Sequence, residues 1–187
     1  MEMIVVVAVF SVVVVSSTDI FFVVNRAHRK LVSTQSVQRD MRFALETIVR
    51  ELHQGTIDYN YYSSQGTLLK VVSQVQGIVS LALIDPSGRP VRFRVLDQDG
   101  SGTNLKLQVS RGQVDNWQNL LSDNIKLVMA KFYVVPESNP FVIGATARNE
   151  QPRVTIILSA QSIPASTQDQ PVSFFLQTTI VSRNYQR

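Results

Sequence analysis

The sequence predicts an α+β fold, one long N-terminal helix packed on an antiparallel β-sheet head. Three observations predict it. From Asn25 to His53 no Gly or Pro interrupts an apolar spacing of three or four residues. Beyond Tyr62 the apolar period changes to two. Short turn sequences, Asp85-Pro86-Ser87-Gly88 and Asp97 to Gly102, then separate successive alternating runs, as in a meander of adjacent antiparallel strands. The organisation that follows is an apolar helix over residues 1–24 and a globular head over 25–187, itself an amphipathic helix over 25–54 and a β-rich part over 56–187.

The chain opens MEMIVVVAVFSVVVV, an acid followed by a run in which Ser11 is the only polar residue up to Val15. Met3–Val15 alone makes about 20 Å of helix, too short to cross a bilayer. Continued through Ile20, Phe21, Phe22, Val23 and Val24 the helix reaches about 33 Å, which spans. The continuation carries Ser16, Ser17, Thr18 and Asp19 with it, and Asp19 costs ~2.5–3.5 kcal/mol at the centre of a membrane helix. Three readings compete: a cleaved secretory signal, a plain membrane anchor, and a helix that leaves the membrane to pack into an assembly. A signal wants a basic flank and a small-residue cleavage site, and this sequence offers an acidic flank and no A-x-A. Arg26, His28, Arg29 and Lys30 follow the run, a basic cluster that by itself leaves the orientation open.

Ala27, Leu31, Thr34, Val37, Met41, Leu45, Ile48 and Leu52 then form one stripe, with Arg39, Asp40, Arg42, Glu46, Arg50 and Glu51 on the solvated side. The stripe is expected to lie on the sheet, with Gly55 as the helix stop. Residues 3–53 thus predict one helix of roughly 75 Å, either continuous or loosened at Ser16–Asp19. Strands are expected at Ile78–Ile84, Val91–Leu96, Leu105–Val109, Ile125–Val135, Val154–Gln161 and Val172–Ser182, with loops at Asn139–Gln151 and Ser162–Gln170. Tyr59, Tyr61 and Tyr62 are either a subunit contact or an edge of the core.

The chemistry of catalysis is not represented. The chain has no cysteine, which excludes disulfides and thiolate sites. His28 and His53 have no second histidine at ligand spacing, and no HExxH, G-x-S-x-G, P-loop or GxGxxG occurs. The protein is expected not to be an enzyme and to need no cofactor. Asp97-x-Asp99-Gly100 starts like a calcium loop but lacks the further oxygen ligands and the distal Glu, so Asp97 and Asp99 are the nearest approach to a metal site and no metal is expected. Arg89, Arg92 and Arg94 cluster around one strand, where alternation exposes Arg92 and Arg94, and nucleic acid is not an expected partner.

An acid leading an unbroken apolar helix, an amphipathic half ending RDMRFALETIVRELHQG and a β-domain together resemble a type IV pilin or type II secretion pseudopilin. LALIDPSGRPVRFRV is similar to the central meander of that family. NWQNLLSDNIKLVMAKFYVVP and the ending FFLQTTIVSRNYQR are most similar to minor members, of the J-type pseudopilin or W-type minor pilin kind. The resemblance implies a pilin-like fold, with residues 1–24 as membrane or filament-core helix, and a structural role. It also implies a basic leader removed after a glycine by a membrane aspartyl peptidase, with methylation of the new N-terminus. On the family motif the acid is Glu2, and the mature N-terminus is expected just before Met1. The implied partners are the prepilin peptidase, inner-membrane lipid, the assembly platform, and other pilin or pseudopilin subunits. Glu2 would then mark the assembly register by pairing with a neighbour's N-terminal ammonium, since an ionised carboxylate in an apolar bundle is costly unless paired. The alternatives are a Glu2 that sits in the headgroup zone without a partner, and a static single-span protein whose β-domain binds a ligand or surface partner.

Overall fold

A computed structural model describes residues 2–64, 80–98, 100–112, 116–141, 150–164 and 170–182. Helix α1 runs from Glu2 to Gln54 without interruption, about 80 Å at 1.5 Å per residue. Of the two alternatives at Ser16–Asp19, the helix is continuous. With no proline there, every backbone N–H can stay in the ladder, and the hydroxyls of Ser17 and Thr18 fold back onto the carbonyls of Val13 and Val14 at 2.8 Å.

After α1 come β1 (Thr56–Ile57), α2 (Tyr59–Ser64), β2 (Ser80–Ile84), β3 (Pro90–Asp97), β4 (Leu105–Arg111), β5 (Gln118–Asn119), β6 (Ile125–Val135), β7 (Arg153–Ser162) and β8 (Ser173–Val181). They form an antiparallel sheet in the order β1-β2-β3-β4-β6-β7-β8, with β5 paired to β4. The order from helix to antiparallel strands is the α+β architecture expected. Each long strand falls within two residues of its predicted span; Ile78 and Val79 lie outside the described residues, as does most of both predicted loops, and Ser162 belongs to β7 rather than to a loop. β1, α2 and β5 are too short for periodicity to announce them.

The hairpin turns follow from local chemistry. Asp85 accepts from the backbone N–H groups of Ser87 and Arg89, both at 2.8 Å, and receives the Arg89 side chain at 2.8 Å. These bonds, the one from the Arg89 backbone foremost, hold its carboxyl below the usual range. Gly88 closes this turn at φ 78°, where a side chain would be strained.

On the sheet face toward α1 lie Leu81, Leu83, Val91, Phe93, Leu107, Val109, Phe132, Ile156 and Leu158, all buried. A bulge in β6 between Leu127 and Met129 keeps that strand's apolar residues facing inward. Ile125 and Leu127 are buried before it, and Ala130, Phe132 and Val134 after it, although the two sets differ in phase.

The helix contributes Val37, Met41, Ala44, Thr47, Ile48 and Leu52. Of the predicted stripe Val37, Met41, Ile48 and Leu52 are buried, and Ala44 and Thr47, outside it, join them. Ala27 and Leu31 are exposed and Thr34 half-buried, because the described sheet reaches no farther along the helix than Val37 and its neighbours, while Leu45, at the margin of the packed face, is half-buried against the same core. Gly55 does end α1, but not through a left-handed conformation. A Cβ there would stand 2.6 Å from the Ile84 carbonyl oxygen, so the chain can enter β1 beside β2 only with glycine. Two polar ties flank the packing: Asp40 accepts from the Ser122 hydroxyl, and Arg111 meets Glu51 at 2.8 Å.

Of the tyrosine cluster, Tyr59 and Tyr62 are core and Tyr61 is half-buried beside them. Tyr62 is 3% exposed, and its hydroxyl accepts the Ala82 N–H at 2.8 Å, capping a stretch of β2 that β1 does not reach. Tyr59 donates to the Pro136 carbonyl at 3.1 Å. Burial raises the pKa of both phenols well above the ordinary value of about 10. Above pH 10 the unfolded chain therefore loses protons that the folded chain retains. Stability is fully present below pH 10 and falls as pH climbs past it, by up to ~1.4 kcal/mol per pH unit for each phenol. Urea titrations between pH 8 and 11.5 are expected to show that fall, and Tyr62→Phe to make it shallower; an equal slope in the variant would contradict the assignment.

Candidate functional site

Among the described residues, the largest apolar surface that the fold leaves uncovered is the first part of α1. All residues from Glu2 to Val32 are exposed, among them Ile4 at 71%, Phe10 at 67% and Phe21 at 65%. No segment of the described head lies against them. The helix includes a stretch long and apolar enough to cross a membrane. Three of its hydroxyls are accommodated internally: those of Ser11, Ser17 and Thr18 each donate to the carbonyl four residues back at 2.8 Å. A lipid or protein environment therefore meets few unpaired donors along this surface.

Charge is confined to defined levels. Glu2 occupies the first turn, where the helix dipole favours an anion. Asp19 lies inside the span, and Arg26 and Lys30 follow at seven and eleven residues. At 100° per residue those two spacings return to the same face, about 10 and 16 Å farther along the axis. His28 and His53 are both exposed.

The head contributes a second cluster that the sequence reading did not assemble. Arg92 and Arg94 are not simply solvated; both are half-buried, and each guanidinium lies over a ring. Arg92 Cζ is 4.4 Å from the centroid of Tyr61 and Arg94 Cζ is 3.8 Å from that of Trp117. The Arg-x-Arg alternation was visible, but nothing local connects it to Trp117, the chain's one tryptophan.

Asp97 serves the β3–β4 turn: its Oδ2 accepts the Gly102 N–H at 2.7 Å. Asp99 lies outside the described residues. Among the described residues no three acidic or histidine side chains gather in a way that would hold a metal ion. Glu2 and Asp97 belong to different parts of the molecule, the tip of the free helix and a turn of the head, and form no joint site.

Comparison with family models, with curated proteins and with solved structures finds no match to this chain.

Proposed function

We propose that this protein is a minor pilin or pseudopilin, a non-enzymatic structural subunit of a type IV pilus or type II secretion filament. The observation that carries the reading is an unbroken helix whose apolar half has no partner among the described residues and whose first turn holds a carboxylate. Before assembly α1 holds the subunit in the inner membrane as a single span, with the head outside the cytoplasm. In the filament the same surface packs against the helices of other subunits, and the head faces outward.

Both environments are apolar, so transfer between them costs little hydrophobic energy and the charged groups decide position. Glu2 pairs with the N-terminal ammonium of a neighbour; displacement by one turn leaves both charges unpaired. Asp19 supports the same logic, since a parallel neighbour shifted by about 10 Å brings an Arg26 level with it. The prepilin peptidase, the assembly platform and other pilin or pseudopilin subunits are the partners of this reading.

Glu2→Ala tests it. Removing one partner of a buried pair costs ~3–5 kcal/mol, so incorporation into sheared filaments is expected to be lost while the subunit stays in the membrane fraction. Incorporation at the parental level would overturn the register role. Absence of both the parental and the Glu2→Ala protein from sheared filaments would instead favour a static anchor that carries a binding head.

A further inference from the structure

The face of β2–β4 turned away from α1 carries two ordered guanidinium groups. Arg92 and Arg94 are two residues apart on β3, which puts their roots about 7 Å apart on one face. Pairing sets them in cross-strand rows, Ala82–Arg92–Ser110 and Ser80–Arg94–Gln108–Asn119. In the second row Arg94 Nε donates to Gln108 Oε1 at 3.0 Å, and Gln108 Nε2 donates to Asn119 Oδ1 at 3.0 Å. That chain and the Trp117 ring fix the plane of the Arg94 fork through its Nε, and its terminal nitrogens are not part of the row. Arg92 is stacked on Tyr61, yet its Nε is buried with no hydrogen-bond partner. A buried charged donor left unmade is costly.

Between the two lies a cleft of about 170 Å³, lined by Tyr61, Ser80, Ala82, Arg92, Arg94 and Trp117 among others, with no carboxylate among the described residues of its wall. A guanidinium stacked on a ring keeps its in-plane N–H groups free, and these match the two oxygens of a planar oxyanion. The remaining cations between Ser80 and Gly112 are spoken for: Arg89 by Asp85, Lys106 by Asp123 and Arg111 by Glu51. A nucleic-acid strand needs a track of free cations and open ring faces. Among the described residues between Ser80 and Gly112 the unengaged charge is confined to two forks, and each ring already carries a guanidinium on one face. Such a site takes one or two carboxylates.

We propose that the Arg92–Arg94 cleft binds the aspartate or glutamate side chains of an acidic segment of a partner protein. The proposal does not rest on the filament reading; it holds equally for a head displayed on a static anchor.

Trp117 reports on it directly, being the only tryptophan and one wall of the cleft. Full-length protein in detergent micelles is titrated with an acetylated, amidated Gly-Asp-Gly-Asp-Gly peptide, with its Asn counterpart, and with a short oligothymidine. The acidic peptide is expected to change Trp117 emission saturably, the Asn peptide not at all, and the oligothymidine more weakly than the acidic peptide. Arg92→Lys and Arg94→Lys keep the charge and lose the fork, and each is expected to weaken peptide binding at least tenfold with an unchanged thermal transition. No saturable response of the parent protein, tighter binding of the oligothymidine, or undiminished binding by folded Lys variants would each overturn the proposal. Because the first two outcomes are read on the parent protein, a misfolded variant does not shield the proposal.

Discussion

Deleting residues 2–24 is expected to move the protein from the membrane fraction to the soluble fraction while leaving the unfolding free energy of the head within about 0.5 kcal/mol of the full chain. The two halves of this result have separate causes. Fifteen Val, Ile and Phe side chains lie between Ile4 and Val24, and each favours a membrane helix by about 0.3–0.6 kcal/mol near its centre. Their sum outweighs the ~2.5–3.5 kcal/mol charged to Asp19. The head loses nothing comparable, because the first buried residue of α1 is Val37, more than three turns beyond the deletion. Cell fractionation and urea unfolding of both forms measure the two halves. A truncated head that unfolds earlier would mean that the free helix packs on it after all, and a truncated head still in the membrane would locate the anchor elsewhere.

Phe132→Ala is expected to destabilise the head by about 3–5 kcal/mol, against a near-neutral effect for Phe175→Ala. Phe132 is fully buried at the middle of β6, opposite Ile156 of β7, on the face covered by α1. Truncation there removes the transfer energy of a whole ring and leaves a cavity whose walls belong to two strands and cannot close independently. Phe175 has the same chemistry on the edge strand β8 but is 57% exposed, so little contact is lost. Since a small domain holds only about 5–15 kcal/mol in total, urea midpoints should separate the two variants clearly. Equal losses would show that the exposed face of β8 is covered in solution.

Much of the fold was legible because it is written in local periods. The gap-free heptad-like spacing of α1 and the alternation in VRFRVLD or RVTIILSAQS need only neighbouring residues to be read. Asp85-Pro86-Ser87-Gly88 announces its hairpin because the Asp side chain and the glycine satisfy the turn within a few residues. Ile125–Val135 shows the limit. Its span was readable, yet its inward face changes phase at the Leu127/Met129 bulge, a response to pairing with β7. Gly55 is similar: its position as a stop was visible, while its reason, the Ile84 carbonyl, comes from another strand.

For the candidate sites the division is sharper. Glu2, Asp19 and the apolar run were evident in the sequence because composition alone states that such a helix needs lipid or another chain. The Arg92–Tyr61 and Arg94–Trp117 stacks were not, because each joins residues more than twenty positions apart through the order of strands in the sheet. The sequence by itself determined the helix, the strands and the unpartnered greasy half, all properties of short-range pattern and of side-chain solvation. Only the tertiary structure decided where the sheet takes hold of the helix, at Val37, which tyrosines are core, and which two arginines lie stacked beside one cleft. Those outcomes depend on contacts between distant segments, which no local period encodes.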